Sequence, residues 1–225
     1  MMIKLQAVIF DLDGVITDTA NIHFAAWKKL TDEINVYFDR EINELLKGVD
    51  RMSSLEMILK NSKKQYTKQY TYEEKLSLTD RKNNYYRNLL ETITADSILP
   101  GALNTLKLLK NLKIKTGLAS ASKNAFLIID KLGISKYFDY IADASKIKKG
   151  KPDPEIFLTT ADNLKVRSEE CMGVEDSEAG IKAIKAACMY ALGIGDSNIL
   201  KDADYVIKSL EDFNISKLKF YCNRN

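Results

Sequence analysis

The sequence has few cysteines and no excess of charge of either sign. Its three cysteines, Cys171, Cys188 and Cys222, are odd in number and show neither the CxxC spacing nor the spacing of a metal-binding cluster. We therefore expect reduced thiols, as is usual in the cytosol. The 34 basic and 31 acidic residues give a net charge of +3. This balance is too even for a nucleic-acid-binding protein, because such proteins usually carry a clustered excess of lysine and arginine.

Long hydrophobic runs are also missing. The apolar run near the N-terminus covers residues 7–10 and is followed by Asp11 and Asp13. A signal peptide needs a longer apolar stretch, and a membrane helix needs about 20 apolar residues. The sequence therefore predicts a cytoplasmic protein with no membrane partner. Its 225 residues, of which 45% are apolar and 29% charged, are enough for one large domain or for one domain with a smaller insertion.

Short apolar segments alternate with helical patterns over most of the chain. The predicted strands cover residues 5–11, 114–119, 140–141, 171–174, 189–192 and 205–207, and the predicted helices cover residues 102–110, 125–132, 154–164 and 179–188. Strands that alternate with helices form a parallel sheet with helices on both faces. We therefore predict an α/β fold with a doubly wound, Rossmann-like core formed by residues 1–16 and 96–225. Residues 17–95 show helical periodicity and no convincing strand, which predicts an inserted helical cap domain.

Two aspartates directly follow the first predicted strand. Side chains two residues apart in a strand point the same way, so Asp11 and Asp13 should project together from its carboxyl end, where open α/β sheets bind ligands. Neighbouring carboxylates repel each other unless a cation or a proton lies between them. Mg²⁺ prefers one or two carboxylates together with water and phosphate oxygens, and a carboxylate can attack phosphorus. The pair fits a phosphoryl-transfer site, and it also fits an ordinary acidic turn.

Polar residues recur at three later positions of the predicted core. Residues 120–124 lie at a strand–helix junction, where a hydroxyl and free backbone amides can bind phosphate, or where a serine can simply cap the helix. Lys151 precedes a proline, which disfavours a helix at the lysine, and its ammonium could neutralise a transferring phosphoryl group. Glu175 and Asp176 end a strand and could complete a metal site. Each of them alone could also be a surface charge or a helix cap.

The predicted insertion has its own group of polar and aromatic residues. Thr19, His23 and Trp27 are spaced four apart, which places them on one face of a helix. His23 is the single histidine of the chain. It could be a partly buried structural residue, or it could hydrogen-bond the Asp13 carboxylate or a sugar hydroxyl. Arg51 suits a phosphate, because its guanidinium donates a planar fork of hydrogen bonds.

The segment that contains the two aspartates resembles the first motif of the haloacid dehalogenase superfamily. That motif is D-x-D-x-[TV], and here Asp11, Asp13 and Val15 satisfy it. The resemblance implies that Asp11 is the catalytic nucleophile. It also implies that Asp13 is the general acid/base and that its backbone carbonyl helps to hold a metal ion.

The later motifs of the superfamily match in the same order along the chain. Ser120 matches the second motif, Lys151 the motif lysine, and residues 175–176 the acidic motif. The resemblance implies one Mg²⁺ as the cofactor. The implied metal ligands are Asp11, Asp13, Glu175 and Asp176.

Within the superfamily, the chain resembles the β-phosphoglucomutase family. Residues 18–27 resemble its substrate-recognition helix, residues 46–55 its loop for the distal phosphate and sugar, and residues 119–124 its Ala-Ser-Ala-Ser-Lys-Asn segment. The substrate-binding residues that the resemblance implies are Thr19, His23, Trp27, Gly48, Val49, Arg51, Ser54, Lys82, Ser120, Ala121, Ser122, Lys123, Asn124 and Lys151.

This resemblance implies interconversion of β-D-glucose 1-phosphate and glucose 6-phosphate through an aspartyl-phosphate and a β-glucose 1,6-bisphosphate. The implied partners are small-molecule sugar phosphates, without nucleic acid or membrane, and we expect a monomer. A sugar-phosphate phosphatase of the same superfamily is the alternative, in which water accepts the phosphoryl group. A non-catalytic sugar-phosphate binder should have lost Asp11, Asp13 or Lys151, and all three are present.

Overall fold

The computed structural model describes three ranges of the chain, residues 5–46, 48–61 and 69–215. Cys222, for which a reduced thiol is expected, lies outside these ranges. The chain divides into two compact units, one formed by Met1–Asp18 and Thr94–Asn225 and the other by Thr19–Ile93. No helix within the described ranges is long and apolar enough to cross a membrane.

A six-stranded parallel sheet forms the centre of the first unit. Its strands are β1 (Ala7–Phe10), β2 (Lys115–Leu118), β3 (Tyr140–Ile141), β4 (Cys171–Glu175), β5 (Tyr190–Ile194) and β6 (Tyr205–Ile207). The order across the sheet is β3-β2-β1-β4-β5-β6, and every pairing is parallel. This is the order of doubly wound sheets, so the predicted α/β core is confirmed. The ends of the strands differ from the predicted ones by two residues at most.

Eight α-helices lie in the described ranges. They are α1 (Ala20–Glu33), α2 (Arg40–Glu44), α3 (Arg51–Asn61), α4 (Tyr72–Leu89), α5 (Ala102–Asn111), α6 (Ala125–Lys131), α7 (Glu155–Leu164) and α8 (Glu178–Ala186). The last four belong to the first unit and agree with the four predicted helices within two residues. Strands β1 and β4 are buried along their whole length, as expected for central strands of a parallel sheet whose two faces are covered.

The second unit contains α1 to α4 and has its own apolar core. Leu30, Leu55 and Ile58 have no exposed surface, and they pack in one cluster with Trp27. Helix α4 begins with a capping box, in which the Thr71 side chain accepts from the backbone of residue 74 while the side chain of residue 74 accepts from the backbone of Thr71. Such a cap satisfies backbone groups that the first turn leaves free.

The register of the sheet places the candidate residues of the first unit side by side. Phe10 pairs with Leu118 on one side and with Val174 on the other. The next residues along β1 and β4, Asp11 and Glu175, therefore emerge together at the carboxyl edge of the sheet. This edge lies where the strand order reverses, which is the usual ligand-binding position of such a fold.

Candidate active site

A buried lysine joins the ends of β1 and β4. The Lys151 ammonium donates to Asp11 Oδ1 at 2.5 Å and to Glu175 Oε2 at 2.7 Å. The three side chains are 1%, 6% and 0% exposed. Burying an unpaired charge costs on the order of several kcal/mol. Each of these three buried charges is therefore stabilised by the opposite charge beside it. The three predicted residues therefore form one cluster.

Burial and the neighbouring charges shift the pKa values of this cluster. Burial raises the pKa of Asp11 to about 7, and the negative charges of Glu175 and Asp13 raise it too, while Lys151 lowers it. Burial alone would lower the pKa of Lys151, but the charges of Asp11 and Glu175 raise it overall. The raised pKa of Asp11, caused mainly by burial, means that its buried carboxylate favours the binding of a proton or a cation.

An acidic group suited to a divalent metal lies in the same place. Asp11, Glu175 and Asp176 each offer a carboxylate oxygen, and the three oxygens lie within 4.8 Å of one another. Such hard oxygen donors are the ligands that Mg²⁺ prefers. The residues present therefore fit a divalent metal ion. Asp13, the fourth predicted ligand, is partly exposed and lies close enough for its charge to act on Asp11.

Two glycines let the acidic side chains lie against backbone. Gly14 has a φ of +79°, and a Cβ there would come 2.1 Å from Asp176 Oδ2. A Cβ at Gly180 would come 2.0 Å from the Glu175 carboxyl carbon. Neither carboxylate could keep its place if these positions carried a side chain. Sequence reasoning missed both glycines, although the Asp-Gly pair after β1 was a visible turn signal.

Ser177 fixes Glu175 and begins helix α8. Its hydroxyl donates to Glu175 Oε1 at 2.8 Å and accepts from Gly180 N at 3.1 Å. The same Glu175 oxygen accepts from the backbone amides of Asp176 and Ser177, each at 3.2 Å. Glu175 therefore holds Lys151 with one oxygen and the start of α8 with the other. Sequence reasoning missed Ser177, whose signal was its place as a helix N-cap.

The loop after β2 is shaped by its own serines. The buried Ser120 accepts at Oγ from Ser122 N at 3.1 Å, and Ser122 Oγ accepts from Asn124 N at 3.2 Å. Helix α6 starts directly after Asn124, which makes no side-chain capping bond. Lys123 is exposed, while Ala121 is partly exposed. Because Phe10 pairs with Leu118, this loop leaves the sheet at the same edge as Asp11.

Within the second unit, a lysine lies between aromatic rings. Lys82 Nζ is 2.8 Å from His23 Nδ1, 4.8 Å from the Trp27 ring centroid and 4.7 Å from the Tyr86 ring centroid. Tyr86 also donates to Thr19 Oγ1 at 3.3 Å. Four of the predicted residues are therefore close neighbours. Tyr86 was missed, although its distance of four residues from Lys82 places both on one face of α4.

Helix α3 begins with the predicted arginine. Asp50 Oδ1 accepts from the amides of residues 52 and 53 at 3.0 and 3.1 Å, which caps this helix. Burial lowers the pKa of Arg51, and the charge of Arg51 acts on His23, so Arg51 lies in the same region of the second unit. In the preceding loop, Gly48 has a φ of +72°, and Ser54 Oγ donates to Val49 O at 3.4 Å.

Comparisons with known proteins agree over nearly the whole chain. The family model of haloacid dehalogenase-like hydrolases matches residues 5–187. The chain is 48% identical to the β-phosphoglucomutase of Bacillus subtilis, covering 95% of this chain and 94% of that one. It is 28% identical to a phosphorylated carbohydrates phosphatase of Thermotoga maritima, covering 95% and 99%. The crystal structure of the β-phosphoglucomutase of Clostridium difficile superposes with a TM-score of 0.90, at 47% identity and 94% coverage of both chains.

Proposed function

The chain belongs to the haloacid dehalogenase-like hydrolase family, and we propose that it is a β-phosphoglucomutase, an isomerase that interconverts β-D-glucose 1-phosphate and glucose 6-phosphate. The similarity to the β-phosphoglucomutases, 48% identity over 95% of the chain, supports this choice within the family. The structural observation that carries it is the buried Asp11 carboxylate, held at 2.5 Å by Lys151 beside an acidic group that fits a metal.

Enzymes of this family need a divalent metal, and this chain has an acidic group able to bind one. We propose that the metal is Mg²⁺, held by Asp11, Asp176 and the backbone carbonyl of Asp13, with Glu175 beside them. Glu175 already accepts four hydrogen bonds, from Lys151, Ser177 and two backbone amides. We therefore assign its role at the metal to its charge. When bound, the metal supplies positive charge to the oxygens of the phosphoryl group.

The proposed reaction uses two aspartates of the first unit. Asp11 attacks a phosphorus of β-glucose 1,6-bisphosphate, so that a bond to Asp11 forms while the bond between that phosphorus and the sugar oxygen breaks. Asp13 gives its proton to the leaving sugar oxygen. In the second half, a hydroxyl of a sugar phosphate attacks the phosphorus on Asp11, the bond between that phosphorus and Asp11 breaks, and Asp13 takes the hydroxyl proton. Lys151 fixes the attacking carboxylate and, with Ser120, neutralises charge on the transferring group.

We further propose that residues 17–95 act as a cap domain whose residues bind the sugar phosphate. Arg51 is suited to the non-reacting phosphate because of its planar fork of donors. The proposed ligands of the sugar and its phosphates are Thr19, His23, Trp27, Gly48, Val49, Arg51, Ser54, Lys82, Ser120, Ala121, Ser122, Lys123, Asn124 and Lys151. We propose that the enzyme is a monomer that acts in the cytoplasm, where such substrates occur.

A second candidate function is a sugar-phosphate phosphatase, because the Thermotoga maritima relative with that activity is 28% identical. The two functions differ in the acceptor of the phosphoryl group, which is a sugar in one and water in the other. Labelled β-glucose 1,6-bisphosphate distinguishes them. We expect most of the label in sugar monophosphate and in the enzyme. In a separate assay, glucose 6-phosphate should form from the β anomer of glucose 1-phosphate rather than from the α anomer. Label found mainly in free phosphate would establish the phosphatase and refute the mutase.

A further inference from the structure

A positive charge is buried between two aromatic rings of the second unit. The side chains of Lys82, Trp27 and Tyr86 are 2%, 2% and 1% exposed. Helix α1 supplies Trp27 and helix α4 supplies the other two. The ring centroids lie 4.8 and 4.7 Å from the ammonium, inside the roughly 6 Å over which a ring face attracts a cation. The two rings therefore favour Lys82 in its charged form.

The lysine meets the single histidine of the chain at one ring nitrogen. Lys82 Nζ lies 2.8 Å from His23 Nδ1. A charged ammonium has three donors and no acceptor, so the nitrogen that it meets must accept. A neutral imidazole whose Nδ1 accepts carries its proton on Nε2. The Tyr86 ring lies against the histidine as well, with centroids 4.2 Å apart, so one tyrosine contacts both members of the pair.

Burial and the neighbouring positive charges both disfavour a protonated imidazole. Burial lowers the pKa of His23 well below its usual value, and the positive charges of Lys82 and Arg51 lower it further. These charges come from α4 and α3, whose apolar residues share one core cluster with those of α1. Protonation of His23 would place a third positive charge beside two others.

We propose that Tyr86 and Trp27 form an aromatic clamp that holds the Lys82 ammonium against His23 and thereby fixes His23 as the tautomer with its proton on Nε2. Tyr86 is then a positioning residue. Its hydroxyl contact with Thr19 at 3.3 Å links the clamp to the residue that precedes α1. The partly exposed imidazole presents a donor, and it cannot act as a base, because its accepting nitrogen is occupied by Lys82.

This assignment gives His23 a definite ligand chemistry. Under the proposed function, the Nε2–H donates to an oxygen of the sugar phosphate, either a hydroxyl or a phosphate oxygen. The tautomer itself does not depend on that function, because every group that fixes it belongs to the protein. The two parts of the inference can therefore fail separately.

The tautomer is measured by ¹⁵N NMR of the imidazole in the whole unliganded protein, where one histidine gives one unambiguous signal pair. We expect the Nε2–H pattern in the wild type throughout pH 6–8. In Lys82→Met, which removes the charge and keeps the chain length, we expect mixed tautomers. A wild-type proton on Nδ1, or an unchanged spectrum in Lys82→Met, would overturn the proposal.

The clamp is tested by substitutions at two adjacent tyrosines. Tyr86→Phe keeps the ring and should keep the tautomer, whereas Tyr86→Leu removes the ring and should give mixed tautomers. Tyr85→Leu is the matched control, because Tyr85 is partly exposed and bonds Glu33 rather than the histidine–lysine pair, and it should leave the spectrum unchanged. If Tyr86→Leu does not fold, Trp27→Leu removes the other ring and gives the same test. Wild-type spectra in Tyr86→Leu and in Trp27→Leu would refute the clamp.

Kinetics test the donated hydrogen bond. His23→Gln offers an amide donor at a similar reach and should keep kcat/KM within about tenfold, while His23→Ala should lose about 10- to 100-fold, as for a lost bond to a charged acceptor. Equal losses in both variants would refute the donation and leave the NMR result standing. Absence of mutase activity in the wild type would instead refute the proposed function without touching the tautomer.

Discussion

Replacing Lys151 with methionine tests whether the site depends on one buried cation. Methionine keeps the length of the chain and removes the charge. The variant leaves Asp11 and Glu175 facing each other, with side chains 6% and 0% exposed. Removing one partner of a buried ion pair costs about 3–5 kcal/mol of stability, because the remaining charge is uncompensated. For a chain of this size, this corresponds to a fall in Tm of about 6–20 °C, at 2–4 °C per kcal/mol.

The direction of the pH dependence follows from the raised pKa of Lys151. Burial lowers this pKa, but the charges of Asp11 and Glu175 outweigh it. A lysine with a raised pKa in the folded state contributes its full stability below its unfolded pKa of about 10.4. The contribution is lost as the pH rises through the folded value. The difference between wild type and Lys151→Met should therefore be fully present at pH 8 and should shrink only above about pH 10.4.

Urea unfolding at pH 8 measures this difference, with Lys149→Met as the matched control. The Lys149 ammonium lies 3.7 Å from an Asp153 carboxylate, and the two side chains are 73% and 33% exposed. Exposed pairs of this kind contribute at most about 1 kcal/mol. A loss in Lys151→Met that does not exceed the loss in Lys149→Met would refute the argument that the buried cluster depends on its lysine.

Three further substitutions test other parts of the site. Gly14→Ala should weaken Mg²⁺ binding measured by calorimetry, because its Cβ would displace Asp176. Gly133→Ala is the control: its φ of +69° is similar, but the structure describes no other residue within 4 Å of the added Cβ, so the affinity should not change. Equal affinities in the two variants would contradict the assignment. Asp11→Asn should abolish transfer and trap no phosphorylated enzyme in mass spectra, and more than a trace of turnover would place the nucleophile elsewhere. Arg51→Ala should lower kcat/KM for the bisphosphate about 10- to 100-fold, as for a lost charged hydrogen bond. Hydrolysis of a small phosphate ester, which lacks the distal phosphate, should stay near the wild-type rate. A parallel loss in both reactions would contradict a role of Arg51 at the distal phosphate.

The positions of the strand ends were predictable from the sequence. Apolar segments that alternate with helical patterns specify a parallel sheet, and the carboxyl ends of its central strands meet at one edge. This was enough to predict that Asp11 and Glu175 lie together, 164 residues apart in the chain. The ends of four strands differed from the prediction by one or two residues, because apolar residues and paired residues do not coincide: Ala119 follows the last residue of β2, whereas β4 ends on Glu175.

The pairing of side chains was not predictable in the same way. The sequence predicted that Lys151 neutralises the charge of a phosphoryl group. Nothing in its spacing indicated that it would bond both Asp11 and Glu175. Such contacts depend on the path of the loop before α7. Tyr86 was missed because a tyrosine on a helix usually has a simple packing role. A positioning role for Tyr86 can be inferred only from the structure, which shows that Lys82, four residues earlier, is buried.

The charge balance links the buried lysine to the need for a metal. The four acidic residues of the site, Asp11, Asp13, Glu175 and Asp176, contribute up to four negative charges, against which Lys151 supplies one positive charge. A phosphoryl group brings further negative charge and would be repelled by this arrangement. The pKa of Asp11 is raised to about 7, mainly by burial and further by the charges of Glu175 and Asp13. A bound divalent cation would offset two of the remaining charges, and the proton that the proposed mechanism places on Asp13 would offset a third. The site would therefore be close to neutral only with a metal bound and Asp13 protonated, the state in which the proposed mechanism has Asp11 accept a phosphoryl group from a sugar.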